Sequence, residues 1–221
     1  MKPVTIFIIL LISITSNTFG QTTSTFVPTK IDTSKSYLFY LHGGIVQEQG
    51  ANAVSEYFGS YEYQQILDTL SSHGFYVISE VRPKGTGEVE YGEKVARQID
   101  TLLTAGVAPE NIALVGASLG AYMTIEAAHK IKNSKIKYAL IGLCSDYALE
   151  LYSKYRDELC GDFLSIYESS DQKGSCETIL AEPRCKSGFK EIKLNMGNGH
   201  GFLYKPYKEW VHPLVKWIAG Q

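Results

Sequence analysis

Long blocks of like charge are missing from this sequence, and so is any stripe of Lys and Arg; the 21 basic and 23 acidic residues are interspersed and leave a formal charge of −2. That lack argues against a phosphate backbone or an anionic membrane surface as partner, and no nucleic-acid partner is expected. A nucleotide fingerprint is missing too. Gly85-Thr86-Gly87 lies in a loop, and no G-x-G-x-x-G follows a strand and opens a helix there. The four cysteines, Cys144, Cys160, Cys176 and Cys185, have no zinc-site spacing, and neither a metal nor another cofactor is expected.

A comfortable membrane span is also lacking. The apolar run Val4 to Ile14 is short, is interrupted at Ser13, and gives way to Thr15-Ser16-Asn17-Thr18. With Lys2 before it and Gly20 at its end, Met1–Gly20 reads as a secretory signal cleaved after Gly20, so a secreted or periplasmic protein without a stable membrane span is expected. No Cys lies near that point to be acylated. Removing Lys2 with the leader leaves a formal charge of −3.

What is present suits one domain over residues 21–221. A content of 44% hydrophobic and 20% charged residues is ordinary for a soluble globular chain, and the length allows a substantial core. Export permits disulfides, and four cysteines allow three pairings. Cys144 and Cys176 both follow expected strands, whereas Cys160 and Cys185 both precede them; the pairs Cys144 with Cys176 and Cys160 with Cys185 are therefore favoured.

Strand-like and helix-like runs alternate along the chain. Gln21 to Lys35 reads as a poorly ordered lead-in or an edge strand. Tyr37–Leu41 is the first clear strand, and Ile45 to Ser60 is an irregular stretch that either walls a cleft or is a surface loop. Helical periodicity covers 61–73, with Tyr63, Ile66, Leu67 and Leu70 on one face, and 89–105, with Tyr91, Val95, Ile99 and Leu102. Further strands are expected at 75–80, 112–115, 136–143, 163–168 and 189–194, and further helices at 119–132, 147–158, 175–180 and 207–219. Such alternation implies an α/β fold, a mostly parallel sheet with helices on both faces.

Loops at the carboxyl ends of such strands gather along one edge. Gly116-Ala117-Ser118-Leu119-Gly120 sits between a buried strand and a helix, where a tight turn lifts a serine hydroxyl off the sheet. Ser118 needs a base, and His200, in a glycine-rich loop after the last strand, is of the residue type suited to take and return a proton. Asp171, after a late strand, is the expected acid that holds the imidazole; Asp146 and Glu168 are its rivals, Glu168 being the one that still belongs to its strand. A developing oxyanion would meet the Leu119 backbone N–H and one from the Gly43-Gly44-Ile45 turn. His42 lies too early in the chain to be the base and reads as a structural residue of that turn. His129 is about three turns from Ser118 along its helix, too far for contact. Glu80 and Arg82 either pair structurally or orient a substrate acid, the structural pair being favoured. Tyr57, Tyr61 and Tyr122 either line a cleft or pack as half-buried residues.

With the His42-Gly43-Gly44 turn, the Gly116–Gly120 elbow, Asp171 and Gly199-His200-Gly201-Phe202, taken in the order Ser, Asp, His, the chain resembles the α/β-hydrolases over essentially its whole mature length. It resembles small exported members of that superfamily, and departs from the family pattern in a reduced N-terminal sheet and the lack of an obvious lid insertion. The resemblance implies hydrolysis of an ester, thioester or amide through an acyl-enzyme, with a short-chain or aromatic soluble ester favoured over an interfacial lipid. Acyl transfer by the same triad, and a non-catalytic binding role on the same scaffold, stay open at this point.

Overall fold

Tyr37–Leu41 is apolar and buried at every position, as a strand covered on both faces must be. In the computed structural model, which describes residues 22–181 and 185–221, it lies inside a seven-stranded sheet. The expected leader, Met1–Gly20, lies outside the described residues.

The chain runs β1 (Thr22–Ser24), β2 (Tyr37–Leu41), α1 (Gly44–Gln49), a small hairpin of β3 (Val54–Ser55) and β4 (Gly59–Ser60), then α2 (Tyr63–Ser72) and β5 (Tyr76–Ile78). It continues through α3 (Glu88–Thr104), β6 (Ile112–Ala117), α4 (Leu119–Ile131), β7 (Lys137–Ile141), α5 (Asp146–Ser153), β8 (Cys160–Glu168), α6 (Glu177–Leu180), β9 (Cys185–Leu194) and α7 (Lys208–Ile218). The sheet order is β1-β5-β2-β6-β7-β8-β9, and every neighbouring pair is parallel. This is the expected α/β architecture.

Side-chain alternation along the strands divides the core into two layers. Tyr37, Phe39 and Leu41 face the layer of α3 and α4, among Val95, Ile99, Met123 and Ala127. Leu38 and Tyr40 face the opposite layer, among Ile66, Leu70, Trp210 and Leu214 of α2 and α7. Each fully buried side chain of this kind contributes about 1.5–3 kcal/mol, so a one-residue slip of β2 would exchange both sets and is strongly resisted.

Of the two readings of the lead-in, the edge strand holds: Thr22–Ser24 forms β1, paired with β5 and tied by Thr22 N–H to Ser71 Oγ at 2.7 Å. Two other segments differ from expectation. The stretch 45–60 is ordered: it carries most of α1 and the β3–β4 hairpin, whose strands of two residues each leave no periodicity to read. Cys160 and Cys185 open β8 and β9 instead of preceding them, because their disulfide joins two residues directly in register, with Cα atoms 4.5 Å apart. Cys144 and Cys176 form the other disulfide, from the loop after β7 to the N-cap of α6.

Candidate active site

Parallel pairing in register aligns the carboxyl ends of the strands. Leu41 pairs with Gly116, Ala117 with Ile141 and Glu168 with Leu194, so the loops that follow β2, β6, β7, β8 and β9 open on one edge. Ser118, Asp171 and His200 are on three of these loops.

Ser118 stands at φ 51° and ψ −116°, a backbone conformation costly for a residue with a Cβ. The turn persists because its neighbours are glycine. A Cβ at Gly116 would lie 2.3 Å from both the Gly120 carbonyl oxygen and Thr124 Oγ1, and one at Gly120 would lie 1.9 Å from the Leu41 carbonyl oxygen. The Ser118 N–H donates to the Ile141 carbonyl at 2.9 Å, which fixes the elbow to β7.

From this elbow the hydroxyl reaches His200. Ser118 Oγ lies 2.8 Å from His200 Nε2, and His200 Nδ1 lies 2.6 Å from Asp171 Oδ2. A carboxylate only accepts, so Nδ1 carries the proton and Nε2 accepts from the serine. The Asp171 side chain is 6% exposed and that of His200 26%, which leaves the imidazole open to a substrate from one side.

The glycine turn packs against the elbow. A Cβ on Gly43 would fall 3.6 Å from Ser118 Cβ, and one on Gly44 would fall 3.7 Å from Leu119 Cβ. Gly44 and Leu119 are the first residues of α1 and α4, positions at which a helix leaves its N–H groups without intrahelical acceptors. His42 holds the turn from below. It is fully buried, accepts from the Arg82 N–H at Nε2 (3.1 Å) and contacts the Gly43 carbonyl through Nδ1 (2.9 Å). Burial, and secondarily the Arg82 charge, push its pKa down to about 3.

The rival acids are placed elsewhere. Asp146 is exposed at the first position of α5. Glu168 ends β8, fully buried, and accepts from the backbone N–H groups of Met196 (2.8 Å), Ser170 (3.3 Å) and Gly197 (3.3 Å). Burial pushes its pKa up, and these donors outweigh that and hold it below the usual carboxylate range. Glu168 thereby ties the loop of Asp171 to the loop of His200.

Glu80 and Arg82 do not bond to each other as expected. Glu80 pairs with Lys94, while Arg82 turns inward to Gln47 Oε1 (2.9 Å) and the His42 carbonyl (2.5 Å). His129 pairs with Glu158 at 3.2 Å, away from Ser118. Of the three tyrosines, Tyr61 lines the cavity at Ser118, Tyr57 is 89% exposed on the β3–β4 hairpin, and Tyr122 packs at a tilt against Tyr152, ring centroids 5.8 Å apart. Phe58, which belongs to no sequence motif, packs against the His200 loop, where a Cβ at Gly201 would approach its ring to 2.6 Å. The adjacent pair Tyr57-Phe58 in a polar stretch was the available signal. Among the described residues, no group of three or more His, Cys, Asp or Glu side chains converges for a metal, and no helix is long and apolar enough to cross a membrane.

No family model matches the sequence, and no curated protein matches it. Solved structures do. SOBER1 from Arabidopsis thaliana is 14% identical, with a TM-score of 0.53 over 84% of this chain and 98% of its own. Est1E from Butyrivibrio proteoclasticus, solved with ferulic acid bound, is 11% identical, with a TM-score of 0.53 over 84% of this chain and 88% of its own. A monoacylglycerol lipase from Paleococcus ferrophilus is 15% identical, with a TM-score of 0.53 over 83% of this chain and 94% of its own. At these identities the likeness shows the fold, which is that of the α/β-hydrolases.

Proposed function

We propose that this protein is an exported serine hydrolase that cleaves a carboxylic ester, or a thioester or amide, of a small molecule through an acyl-enzyme. The observation that carries this reading is the continuous hydrogen-bonded chain Ser118–His200–Asp171, at 2.8 and 2.6 Å, on three strand ends of an α/β-hydrolase sheet. Esterase, lipase and thioesterase neighbours support hydrolase chemistry in general. The two disulfides fit a protein exported behind the leader Met1–Gly20.

In this mechanism His200 Nε2 takes the Ser118 proton as Oγ attacks the carbonyl carbon, and Asp171 stabilises the imidazolium. The oxyanion is met by the N–H groups of Leu119 and the Gly43-Gly44 turn, each such donor contributing about 2.7–4 kcal/mol to transition-state stabilisation. His200 then protonates the leaving group, and water repeats the sequence to release the acid. A fluorophosphonate probe tests it. Covalent labelling of the protein, lost in Ser118→Ala, is expected; a folded wild-type protein that neither labels nor turns over any activated ester overturns the reading.

A further inference from the structure

The space directly at Ser118 is small. A cavity of about 50 Å³ is bounded by the Gly43–Ile45 turn, Ser118, His200, Tyr61, Leu203 and Tyr204. For scale, a water molecule needs roughly 10–15 Å³ of such volume, while a cavity of about 150 Å³ admits a benzene ring.

Chemistry assigns directions within that space. When Oγ adds to a carbonyl, the new tetrahedral carbon carries three other substituents. Its oxygen points to the Gly44 and Leu119 N–H groups, and its leaving atom must face His200 Nε2 to be protonated. The acyl substituent takes the remaining direction, into the rest of the cavity, whose lining side chains Tyr61, Leu203 and Tyr204 are 3%, 2% and 7% exposed.

That wall is braced from the core to the surface. Tyr61 Oη and Tyr40 Oη lie 2.7 Å apart within the core. The Tyr61 and Tyr204 rings are 5.1 Å apart, and the Tyr204 and Phe58 rings 5.3 Å. Phe58 in turn lies on the backbone of Gly201. A long acyl chain would have to displace this chain of rings, and packed aromatic walls yield little without strain.

Resting on the serine-hydrolase reading above, we infer that the enzyme is selective for very short acyl groups, of acetyl size, with Tyr204 as the residue that sets the limit. The leaving group is outside this restriction because it departs past the exposed side of His200. In acylation the Ser118 Oγ–carbon bond forms, the bond from that carbon to the leaving oxygen breaks, and the serine proton passes through His200 to that oxygen. Nothing in that step needs space beyond the acyl methyl on the walled side.

The test is kcat/KM for p-nitrophenyl acetate, butyrate, hexanoate and octanoate, which share one leaving group. Wild type should favour acetate over hexanoate by at least about tenfold, the scale on which pockets discriminate added methylenes. Tyr204→Ala should raise the hexanoate-to-acetate ratio by about tenfold, and Leu203→Ala provides the same readout if Tyr204→Ala does not fold. Equal or better turnover of hexanoate by wild type, or an unchanged ratio in a folded wall variant, overturns the acyl limit while leaving the hydrolase reading intact. Absence of turnover on all four esters together with absence of fluorophosphonate labelling overturns both.

Discussion

Arg82 Nη2 donates to the His42 carbonyl at 2.5 Å while the Arg82 backbone N–H donates to His42 Nε2 at 3.1 Å, so one buried residue holds both the main chain and the ring of the other. Arg82 is 1% exposed, its guanidinium lies 5.2 Å over the Tyr91 ring, and its Nη1 makes no hydrogen bond among the described residues. A buried cation with no carboxylate partner among the described residues is costly, and its visible return is a held His42–Gly43 peptide beside the elbow.

Replacing Arg82 with Lys keeps the charge and loses the planar fork to Gln47 and His42. Expected is a loss of about 1–3 kcal/mol in urea unfolding, with ester turnover reduced in kcat more than in KM. If stability falls while kcat stays at the wild-type value, Arg82 does not position the turn.

His42 makes stability depend on pH. Its pKa is about 3 in the folded protein against an ordinary 6.5, so between those values the unfolded chain binds the extra proton. The contribution is complete above pH 6.5 and is lost as pH falls toward 3, with a limiting slope of about 1.4 kcal/mol per pH unit. His42→Gln should unfold more readily at neutral pH and show a flatter decline on acidification. Urea midpoints between about pH 4 and pH 7 measure this; parallel curves for the two proteins would refute it.

The choice among three carboxylates is directly testable. Asp171→Asn should lower kcat by about ten-thousand-fold, since an amide cannot hold the required imidazole tautomer. Asp146→Asn should turn over like wild type, because Asp146 is exposed at the start of α5. Glu168→Gln should cost about 1–3 kcal/mol of stability by presenting an amide to the donors of Met196, Ser170 and Gly197. Near-normal turnover in Asp171→Asn with loss in Asp146→Asn would reassign the acid.

The two disulfides should separate in function. Cys144–Cys176 binds the end of the Asp171 loop to the loop after β7, where Gly174 N–H also donates to the Cys144 carbonyl at 2.6 Å. Removing it should reduce both stability and kcat. Cys160–Cys185 joins the far ends of β8 and β9, at the opposite edge from Ser118, so its removal should cost about 2–4 kcal/mol and leave kcat nearly unchanged. Paired Cys→Ser variants, followed by denaturation and ester kinetics, distinguish the two.

Local physics made much of this protein legible as sequence. Tyr37–Leu41 and Ile112–Val115 read as buried strands because they are apolar without interruption. Ser118 reads as a raised serine because Gly116 and Gly120 are the residues that let a strand and a helix pass so closely. His200 and Asp171 follow from one rule about strand ends, and the cysteine pairs follow from the same rule.

Contacts between distant segments were decided only by the tertiary structure. Arg82 turns from neighbouring Glu80 to His42, forty positions away, because β2 and β5 are adjacent in the sheet and not in the chain. Phe58 reaches the His200 loop from a hairpin too short to announce itself, and the wall of Tyr61, Leu203 and Tyr204 is assembled from segments on either side of the whole α/β core. Sequence periodicity reports which face of an element is buried; which other segment buries it, and how much room is left at Ser118, depends on packing among elements that the chain itself does not place side by side.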